Sequence, residues 1–360
     1  MKILYDHQIF GSQKFGGISR YFVELMSRLP ADIDFSNSIT VTDNVYIKSA
    51  GKSVSKGIAL PEFRGKGRIV NPLNKLVSQY CLSNGKYDLF HPTYYNPYFL
   101  KSLRRPYVIT VYDMIHEKFS DMFRPNDPTA DFKRETIMKA DKVIAISRHT
   151  KKDLMELYGL PDEKIVVIHL GHSVVNDETA SVDGLPEKFI LFVGQRGGYK
   201  NFKRFLTAFS VVNGKFPEIK LVCTGSDFKA DEQDLIRSLG VEKSVSRYFV
   251  TDTQLTYLYQ KAMCFVYPSL YEGFGIPILE AFAAGCPLVL SDTSCFPEIA
   301  REGGLYFDPY EVDSMADSLT KIIEDSDLRK EMVARGAEVL KNYSWDRMAV
   351  ETADVYKSII

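Results

Sequence analysis

The sequence has little of what marks several classes of protein. Its five cysteines, in a chain of 360 residues, are widely spaced and form no Cys-x-x-Cys pair, which argues against a disulfide framework and against a structural zinc site. No stretch approaches the roughly 18 uninterrupted apolar residues of a membrane span. The first residues, Met1 to Asp6, contain no basic region followed by an apolar one. We therefore expect a cytoplasmic protein without a cleaved export signal.

A large excess of charge of either sign is lacking too. Lys and Arg total 45 against 46 Asp and Glu, and the resulting formal charge of -1 excludes a strongly basic nucleic-acid-binding protein. Within this balance, residues 44–86 hold eight basic side chains and a single acid, Glu62. Such a segment could bind an anionic membrane leaflet or a phosphorylated acceptor. The alternative is a solvated loop region without a partner of this kind.

Short apolar runs alternate with helix-length segments along the whole chain. The runs stand at 3–5, 87–91, 107–112, 142–146 and 165–169, and again at 189–193, 220–223, 246–249, 264–267 and 287–290. This rhythm is typical of parallel sheets, and the polar interval 173–187 predicts a linker between two doubly wound α/β domains. Because ligands of such sheets bind beyond the carboxyl ends of the strands, we expect a site in a cleft between two facing domains.

The first loop of chemical interest is Gly11-Ser-Gln-Lys-Phe-Gly16-Gly17, between the first strand and the first helix. Backbone N–H groups and the positive helix end favour an anion there. The loop is neither a Walker loop nor a Gly-x-Gly-x-x-Gly fingerprint, which disfavours a nicotinamide cofactor. Its glycines could also serve only the geometry of the backbone.

A second loop, Gly194-Gln-Arg-Gly-Gly-Tyr-Lys200-Asn201, follows the run 189–193. It places the guanidinium of Arg196 and the ammonium of Lys200 beside glycines that expose the backbone. This composition is typical of a pyrophosphate clamp, and a solvated basic turn is the alternative.

The third loop, which runs from Tyr267 to Gly285, contains two glutamates around a glycine-rich turn. Pro277 suits the first turn of a helix and Gly285 suits its carboxyl-terminal cap, which predicts a helix of about two turns. Glu272 then lies on the loop and Glu280 on the helix. A carboxylate can accept hydrogen bonds from two neighbouring hydroxyls, as a ribose diol or a hexose offers them.

The segment Glu272-Gly-Phe-Gly-Ile-Pro-Ile-Leu-Glu280 matches the Glu-x7-Glu signature of retaining glycosyltransferases, and the chain resembles glycosyltransferase family 4, of the GT-B architecture. Further matching segments follow in order: Gly16-Gly17-Ile-Ser-Arg-Tyr, Thr110-Val-Tyr-Asp113-Met-Ile-His116, Ala145-Ile-Ser-Arg148, Ile168-His-Leu-Gly171, Pro297-Glu298-Ile and Tyr343-Ser-Trp345. The resemblance implies two Rossmann-like domains, an acceptor-side domain at 1–172 and a nucleotide-sugar-binding domain at 188–344, with the helix 345–360 packed back onto the first.

The resemblance also implies the reaction. A hexosyl unit would pass from a nucleotide-sugar to a glycan or lipid-linked glycan with retention, without a cofactor or a metal ion, in surface polysaccharide or lipopolysaccharide biosynthesis. Mannose from GDP-mannose is the first expectation. The alternatives are a nucleotide-sugar epimerase, a phosphorylase and an inactive interaction subunit. No nucleic acid is expected as a partner, and a peripheral contact with the inner face of the plasma membrane stays open.

Residue roles follow from the same family pattern. Glu280 would hold the ribose hydroxyls, Glu272 would hold the transferred sugar, and Arg196 and Lys200 would stabilise the departing diphosphate. Gln195 stands where the family often has arginine, and Arg196 follows it. The expected donor-binding residues are Gly16, Gly17, Gly194, Arg196, Lys200, Glu272, Gly273, Phe274, Gly275, Ile276 and Glu280.

Two further segments carry acids. Asp113 and His116 follow the run 107–112, where similar enzymes place residues that contact the reacting sugar, and a buried structural role for His116 is the alternative. Asp32-Ile-Asp34 has the form of the Asp-x-Asp metal signature of another glycosyltransferase architecture. It lies too early in the chain for that role, so we expect a polar turn there.

Overall fold

The computed structural model describes residues 1–50, 54, 57, 66–172 and 179–360, which form two compact units. The first unit comprises Met1–Gly171 with Ser344–Ile360, and the second comprises His172–Tyr343. Of the linker expected at 173–187, residues 173–178 lie outside the described residues. Residues 179–187 form neither helix nor strand.

The described part of the first unit contains six parallel strands in the order β2-β1-β3 and β4-β5-β6, with a parallel bridge from Phe90 to Tyr107 between the two groups. These strands are β1 (Lys2–Tyr5), β2 (Asp34–Asn37), β3 (Leu89–His91), β4 (Val108–Val111), β5 (Lys142–Ala145) and β6 (Ile165–Val167). Strands β3 and β4 are buried along their whole length, as expected for a sheet covered on both faces.

Helices connect these strands and cover the sheet. They are α1 (Gln8–Ser12), α2 (Gly17–Arg28), α3 (Val45–Ala50), α4 (Lys66–Asn84), α5 (Ile115–Lys118), α6 (Thr129–Lys139) and α7 (Arg148–Tyr158), with 3₁₀ turns at Pro97–Phe99, Ser120–Met122 and Asp162–Lys164. Of the basic segment 44–86, residues 66–84 are therefore helix rather than loop, while Lys52, Lys56 and Arg64 lie outside the described residues.

The carboxyl-terminal helix α15 (Trp345–Lys357) belongs to the first unit. Ser344 caps it, because its hydroxyl accepts hydrogen bonds from the backbone N–H groups of Asp346 and Arg347. The Tyr356 hydroxyl is buried 2.6 Å from Nδ1 of His91 and 3.0 Å from the Tyr5 hydroxyl. Gly171 leaves room for the start of α15, because a Cβ there would lie 2.1 Å from the Trp345 nitrogen.

The second unit contains a parallel sheet of six strands in its described residues, in the order β12-β11-β10-β7-β8-β9. The strands are β7 (Phe189–Phe192), β8 (Lys220–Thr224), β9 (Val245–Tyr248), β10 (Cys264–Tyr267), β11 (Leu288–Ser291) and β12 (Gly304–Phe307). The strand order reverses between β7 and β10. In a doubly wound sheet this switch point opens the crevice in which ligands bind.

The helices of the second unit bury apolar faces against this sheet. They are α8 (Phe202–Lys215), α9 (Ala230–Ser238), α10 (Asp252–Lys261), α11 (Ile276–Ala283), α12 (Phe296–Ala300), α13 (Val312–Glu324) and α14 (Ser326–Leu340), with 3₁₀ turns at Gly198–Lys200 and Arg301–Gly303. On α8, Phe202, Phe205 and Phe209 are fully buried in a core shared with β7 and α13. That core fixes the loop that precedes α8.

Candidate active site

Two loops meet at the switch point of the second unit because the strands that precede them are neighbours. The loop after β7 ends in the turn Gly198–Lys200, and the loop after β10 contains Glu272. The Leu270 N–H donates to the Tyr199 carbonyl at 2.7 Å, which joins the two loops directly. Residues distant in sequence are thereby placed side by side at the carboxyl edge of the sheet.

The Lys200 ammonium donates to Oε1 of Glu272 at 2.5 Å. The pair is largely withdrawn from water, with side-chain exposures of 20% for Lys200 and 11% for Glu272. Aromatic rings border the cation, since Nζ lies 5.1 Å from the ring centre of Tyr199 and 5.8 Å from that of Tyr267. Burial, and then the charge of Glu272, raise the pKa of the Tyr267 phenol well above its usual value, so Tyr267 stays protonated.

Asn201 turns the chain from Lys200 into α8. Its backbone is left-handed at φ 58°, a conformation that asparagine tolerates better than most residues. Its Nδ2 donates to the Pro309 carbonyl at 2.8 Å. The Lys200-Asn201 dipeptide thus combines a cation with the residue that fixes its direction.

Ser294 holds the backbone of Glu272, a role that the sequence did not indicate. The Ser294 hydroxyl accepts from the Glu272 N–H at 3.1 Å and donates to the Glu272 carbonyl at 2.6 Å. Ser294 itself is left-handed at φ 57°, which is costly for a residue other than glycine. Strain of this kind persists only where the surrounding structure imposes it. Here the strained residue places its hydroxyl on the backbone of Glu272, whose carboxylate pairs with Lys200.

The predicted two-turn helix is present as α11, between Gly275 and Ala284. Gly275 is left-handed at φ 84°, and a Cβ there would lie 3.0 Å from the Ile278 side chain. Phe274 packs inward with its ring edge-on to Tyr343 at 5.8 Å, so its side chain belongs to the core. Gly273 precedes it on the loop, and Ile276 is the first residue of α11.

Glu280 projects from α11 next to the buried phenol of Tyr259 on α10. Burial first, and then the Glu280 carboxylate, raise the pKa of Tyr259 well above its usual value. The Tyr259 ring also packs edge-on against Phe265 of β10 at 5.3 Å. A rigid protonated phenol therefore stands beside the carboxylate expected to bind a ribose.

Arg196 lies in a different environment from the one that its expected role requires. Its guanidinium is buried and pairs with Glu232, with Nε 3.2 Å from Oε2. The terminal nitrogens donate to the carbonyls of Thr224, Ser226 and Asp227, and the group stacks on Phe228 at 4.7 Å. These contacts hold the loop after β8 and argue against the expected contact of Arg196 with a diphosphate, because the side chain is buried among them.

Gly194 supports the same loop from the other side. It has φ 98°, and its N–H donates to the Thr224 hydroxyl at 3.2 Å. Gly225 approaches so closely that a Cβ there would lie 2.8 Å from the Gly194 carbonyl oxygen. The exposed Lys229 carries its ammonium to within 3.7 Å of the position of a Cβ on Gly197. A second cation thus lies beside the loop that contains Lys200.

In the first unit, the glycine pair opens α2. The Ser19 N–H in the first turn lies 3.4 Å from the Gln13 side-chain oxygen. A Cβ on Gly16 would lie 2.5 Å from that oxygen, so Gly16 leaves room for the Gln13 amide. Gly17 is the first helical residue. Gly16 is extended at φ 163°, so the Gln13 side chain, rather than a special backbone conformation, is what a larger residue at position 16 would displace.

Asp113 lies beyond β4 beside a lysine that is almost fully buried. The Lys133 ammonium donates to the Asp113 carbonyl at 3.0 Å and to Oε2 of Glu117 at 3.0 Å. It also lies 3.6 Å from the Asp113 carboxylate, which in turn accepts from the Ile115 N–H. No pattern in the sequence singled out Lys133, because α6, which carries it, has many charged residues.

The His116 ring stacks on Phe123, with centres 4.0 Å apart. Burial first, and then the charge of Lys133, lower the pKa of the imidazole, so the ring is neutral near pH 7. Its Nδ1 is buried without a hydrogen-bond partner among the described residues. A neutral imidazole can donate a hydrogen bond to a ligand hydroxyl through one ring nitrogen or accept one through the other.

The Asp32-Ile-Asp34 segment forms a polar turn, in agreement with the sequence argument. Asp32 pairs with Lys357 of α15 at 2.7 Å, and Asp34 begins β2. Across 1–50, 66–172 and 179–360, no three His, Cys, Asp or Glu side chains group as metal ligands would. No helix in the described part of the chain is long and apolar enough to span a bilayer.

Comparison with known proteins identifies the family. Residues 15–174 match the model of Glycosyltransferase Family 4, and residues 176–339 match that of Glycosyl transferases group 1. An uncharacterized glycosyltransferase of Methanocaldococcus jannaschii is 30% identical over 296 residues, which cover 76% of this chain and 75% of that protein. The chain belongs to glycosyltransferase family 4.

Other relatives of this glycosyltransferase agree. O-antigen chain mannosyltransferase B of Escherichia coli is 26% identical over 374 residues, covering 95% of this chain and 96% of that protein. Among solved structures, sucrose-phosphate synthase of Thermosynechococcus elongatus superposes with a TM-score of 0.75 at 18% identity, covering 99% of this chain and 98% of that one. WaaG, a glycosyltransferase involved in lipopolysaccharide biosynthesis, gives 0.71 at 17% identity, covering 99% of each chain. The predicted GT-B architecture with two Rossmann-like domains is confirmed.

Proposed function

We propose that this glycosyltransferase moves a hexosyl unit from a nucleotide-sugar to a glycan or lipid-linked glycan, with retention at the anomeric carbon. The observation that carries the proposal is the Lys200–Glu272 pair at the switch point of the second unit. The pair combines an ammonium, which can stabilise the negative charge of a departing diphosphate, with a carboxylate, which can accept hydrogen bonds from sugar hydroxyls. Aromatic rings and partial burial strengthen both interactions.

Lys200 is the group that would meet the negative charge developing on the diphosphate. In the structure its ammonium pairs with Oε1 of Glu272 at 2.5 Å. A bound diphosphate would share that ammonium, and Glu272 would turn its remaining acceptor capacity to the hydroxyls of the transferred sugar. Stabilisation of a leaving group by fixed cations supplies the task that a metal ion performs elsewhere. We therefore propose that the reaction needs neither metal nor cofactor.

Lys229 is proposed as the second cation of this site, in place of Arg196. Its ammonium lies beside Gly197, whereas the Arg196 guanidinium is buried against Glu232. Arg196 then acts as a positioning residue, because its hydrogen bonds to Ser226 and Asp227 hold the loop that leads to Lys229.

Glu280 is proposed to accept hydrogen bonds from the ribose hydroxyls. Its place on α11 next to the protonated Tyr259 fixes the carboxylate with one side against a rigid ring. In the first unit, Asp113 and the neutral His116 are proposed to contact the reacting sugar. The diphosphate would leave, and the acceptor hydroxyl would attack, on the same face of the transferred sugar. Because the departing diphosphate would take the proton of that hydroxyl, no separate protein base would be needed.

The sugar and the pathway are proposed from the relatives. Two are named as O-antigen chain mannosyltransferases, one from Escherichia coli and one from Salmonella typhimurium, and WaaG is described as a glycosyltransferase involved in lipopolysaccharide biosynthesis. We propose mannosyl transfer from GDP-mannose in the synthesis of such a polysaccharide. A solved structural neighbour, HepE of Anabaena, is described in complex with UDP, so UDP-sugars belong in the same test.

The experiment is turnover of GDP-mannose, UDP-glucose and UDP-galactose with membrane-extracted acceptors, in the presence and absence of EDTA. We expect one donor to be consumed at the same rate with and without EDTA. Proton NMR of the glycoside should show the same anomeric configuration as in the donor. An inverted product would contradict the retaining mechanism, and loss of turnover in EDTA would contradict metal independence.

A further inference from the structure

Helix α4 packs against the first unit through polar side chains. Asn74 is fully buried, and its Oδ1 accepts from the N–H groups of Thr40 and Val41 at 3.0 and 3.1 Å. Ser78 is also buried, with its hydroxyl 2.6 Å from that of Ser38 and 2.7 Å from Nδ1 of His7. Hydrogen bonds, rather than an apolar face alone, therefore hold this helix in place.

The outward face of α4 is apolar. Ile69, Leu73, Leu76 and Tyr80 are exposed to 61%, 41%, 64% and 70%. They are spaced four, three and four residues apart, which places them along one side of a helix. These four residues form an apolar stripe. The helix thus exposes an apolar stripe in addition to the apolar Val70 and Leu82 that it buries, whereas an ordinary surface helix turns its apolar face inward only.

Positive charge accompanies the apolar stripe. Between Glu62 and Asp88 the sequence contains five Lys or Arg and no acid. Arg68 and Lys75 are exposed on α4, and Lys86 is exposed just beyond its end. A second copy of the chain docking symmetrically on this face would bring like charges together, which disfavours self-association there. An anionic surface would satisfy both the charges and the apolar side chains.

We propose that α4 is a docking surface for an anionic lipid bilayer, with the apolar stripe inserted at the headgroup level and Arg68, Lys75 and Lys86 on the lipid phosphates. A helix that lies in the interface with a cationic border is bound by buried apolar area and by charge together. Tyr80 suits this depth, because its ring has an apolar body and a polar tip. Docking through α4 would hold the β1–α2 loop near the membrane, since α1 lies against α4 so closely that a Cβ on Gly11 would be 3.4 Å from Oδ1 of Asn71.

The test is flotation of the full chain with vesicles of phosphatidylcholine alone, or of phosphatidylcholine and phosphatidylglycerol in equal parts. We expect binding to the anionic vesicles that weakens with salt. The triple variant Leu73→Gln/Leu76→Gln/Tyr80→Gln should bind at least about tenfold more weakly. Each of Arg68→Gln and Lys75→Gln should weaken binding about fivefold. On vesicle binding, amide hydrogen exchange should slow within 66–84.

A matched control removes three exposed apolar side chains that form no stripe, as Val211→Gln/Phe249→Gln/Val350→Gln. This control should float like the unaltered chain. Equal flotation of the stripe variant and the unaltered chain would overturn the proposal, as would binding to neutral vesicles alone. If the unaltered chain binds no vesicles but forms a dimer that the stripe variant does not form, the stripe would be a contact between two copies of the chain instead. Calorimetric titration of the stripe variant with GDP and UDP separates this proposal from the proposed function, since donor binding should be unchanged.

Discussion

Lys200 and Glu272 are 72 residues apart in the sequence, yet the Lys200 ammonium donates to Oε1 of Glu272 at 2.5 Å. The contact exists because β7 and β10 are neighbours in the sheet, so the loops at their carboxyl ends share one crevice. In the proposed mechanism, a bound diphosphate competes with Glu272 for this ammonium.

Replacement of Lys200 by alanine should therefore lower turnover about a hundredfold or more, the scale of losing one preorganised charge at a developing anion. Lys203→Ala is the matched control, because Lys203 lies on the same segment but is exposed and pairs with Asp231. Steady-state kinetics with the donor found for the unaltered enzyme measure both. Near-normal turnover of Lys200→Ala would remove Lys200 from the mechanism.

Arg196 should behave as a structural residue. Arg196→Ala leaves the buried Glu232 carboxylate without its cation, and we expect a loss of about 3 kcal/mol or more in unfolding free energy. The double variant Arg196→Met/Glu232→Leu should recover most of that loss, because both buried charges are then gone. Denaturant unfolding measures these values. An Arg196→Ala protein of unchanged stability and greatly reduced turnover would instead restore the diphosphate contact.

Ser294→Ala tests the support of Glu272. Loss of both hydrogen bonds to the Glu272 backbone should misplace the carboxylate and reduce kcat ten- to a hundredfold, with a smaller effect on KM. Ser294→Gly relieves the left-handed strain but also lacks the hydroxyl, so it should be impaired as well. Full activity of Ser294→Gly would show that only the backbone conformation matters there.

His91 should make the stability of the protein depend on pH. Burial lowers the pKa of His91 from 6.5 to about 3, because the ring lies fully inside the first unit against Tyr356 and Thr110. The unfolded chain therefore binds a proton that the folded chain does not. This contribution is complete above pH 6.5 and is lost as the pH falls toward 3.

The free energy of unfolding should fall as the pH is lowered from 6 to 5. In the unaltered chain this fall should be steeper than in His91→Gln, by up to about 1.4 kcal/mol per pH unit. Thermal or denaturant unfolding across this range measures the slope, which is independent of any constant loss caused by the substitution. Equal slopes in the two proteins would mean that His91 does not titrate differently on folding.

The sequence predicted those parts of the fold and the site that depend on local residues. Gly275, Pro277 and Gly285 mark the ends of α11, and the alternation of apolar runs predicted most strands. Strand β12 was missed, because its four residues begin with glycine and are only partly buried until Phe307. The sequence left the segment of α4 open between a solvated loop and a segment that binds a membrane or an acceptor, because its exposed leucines and buried Asn74 depart from the usual helical pattern.

Roles that depend on distant partners could not be predicted. Arg196 had the composition of a phosphate ligand, but its partner Glu232 is 36 residues away and pairs with it only in the folded unit. The same holds for Ser294, whose hydroxyl reaches Glu272 across the loops after β10 and β11. The local sequence shows which charged side chains are present. The topology of the fold determines which of them pair with each other and which can contact a ligand.

The most direct test of the donor site is calorimetric titration with UDP, GDP, ADP and dTDP of the unaltered enzyme and of Glu280→Gln. Glu338→Gln is the control, since Glu338 is an exposed glutamate on α14 of the same unit. We predict that one nucleotide binds the unaltered enzyme and Glu338→Gln equally, and binds Glu280→Gln about tenfold more weakly, as expected for a lost charge-assisted hydrogen bond. Equal affinity in all three proteins, or no binding of any nucleotide to the folded enzyme, would contradict the assignment.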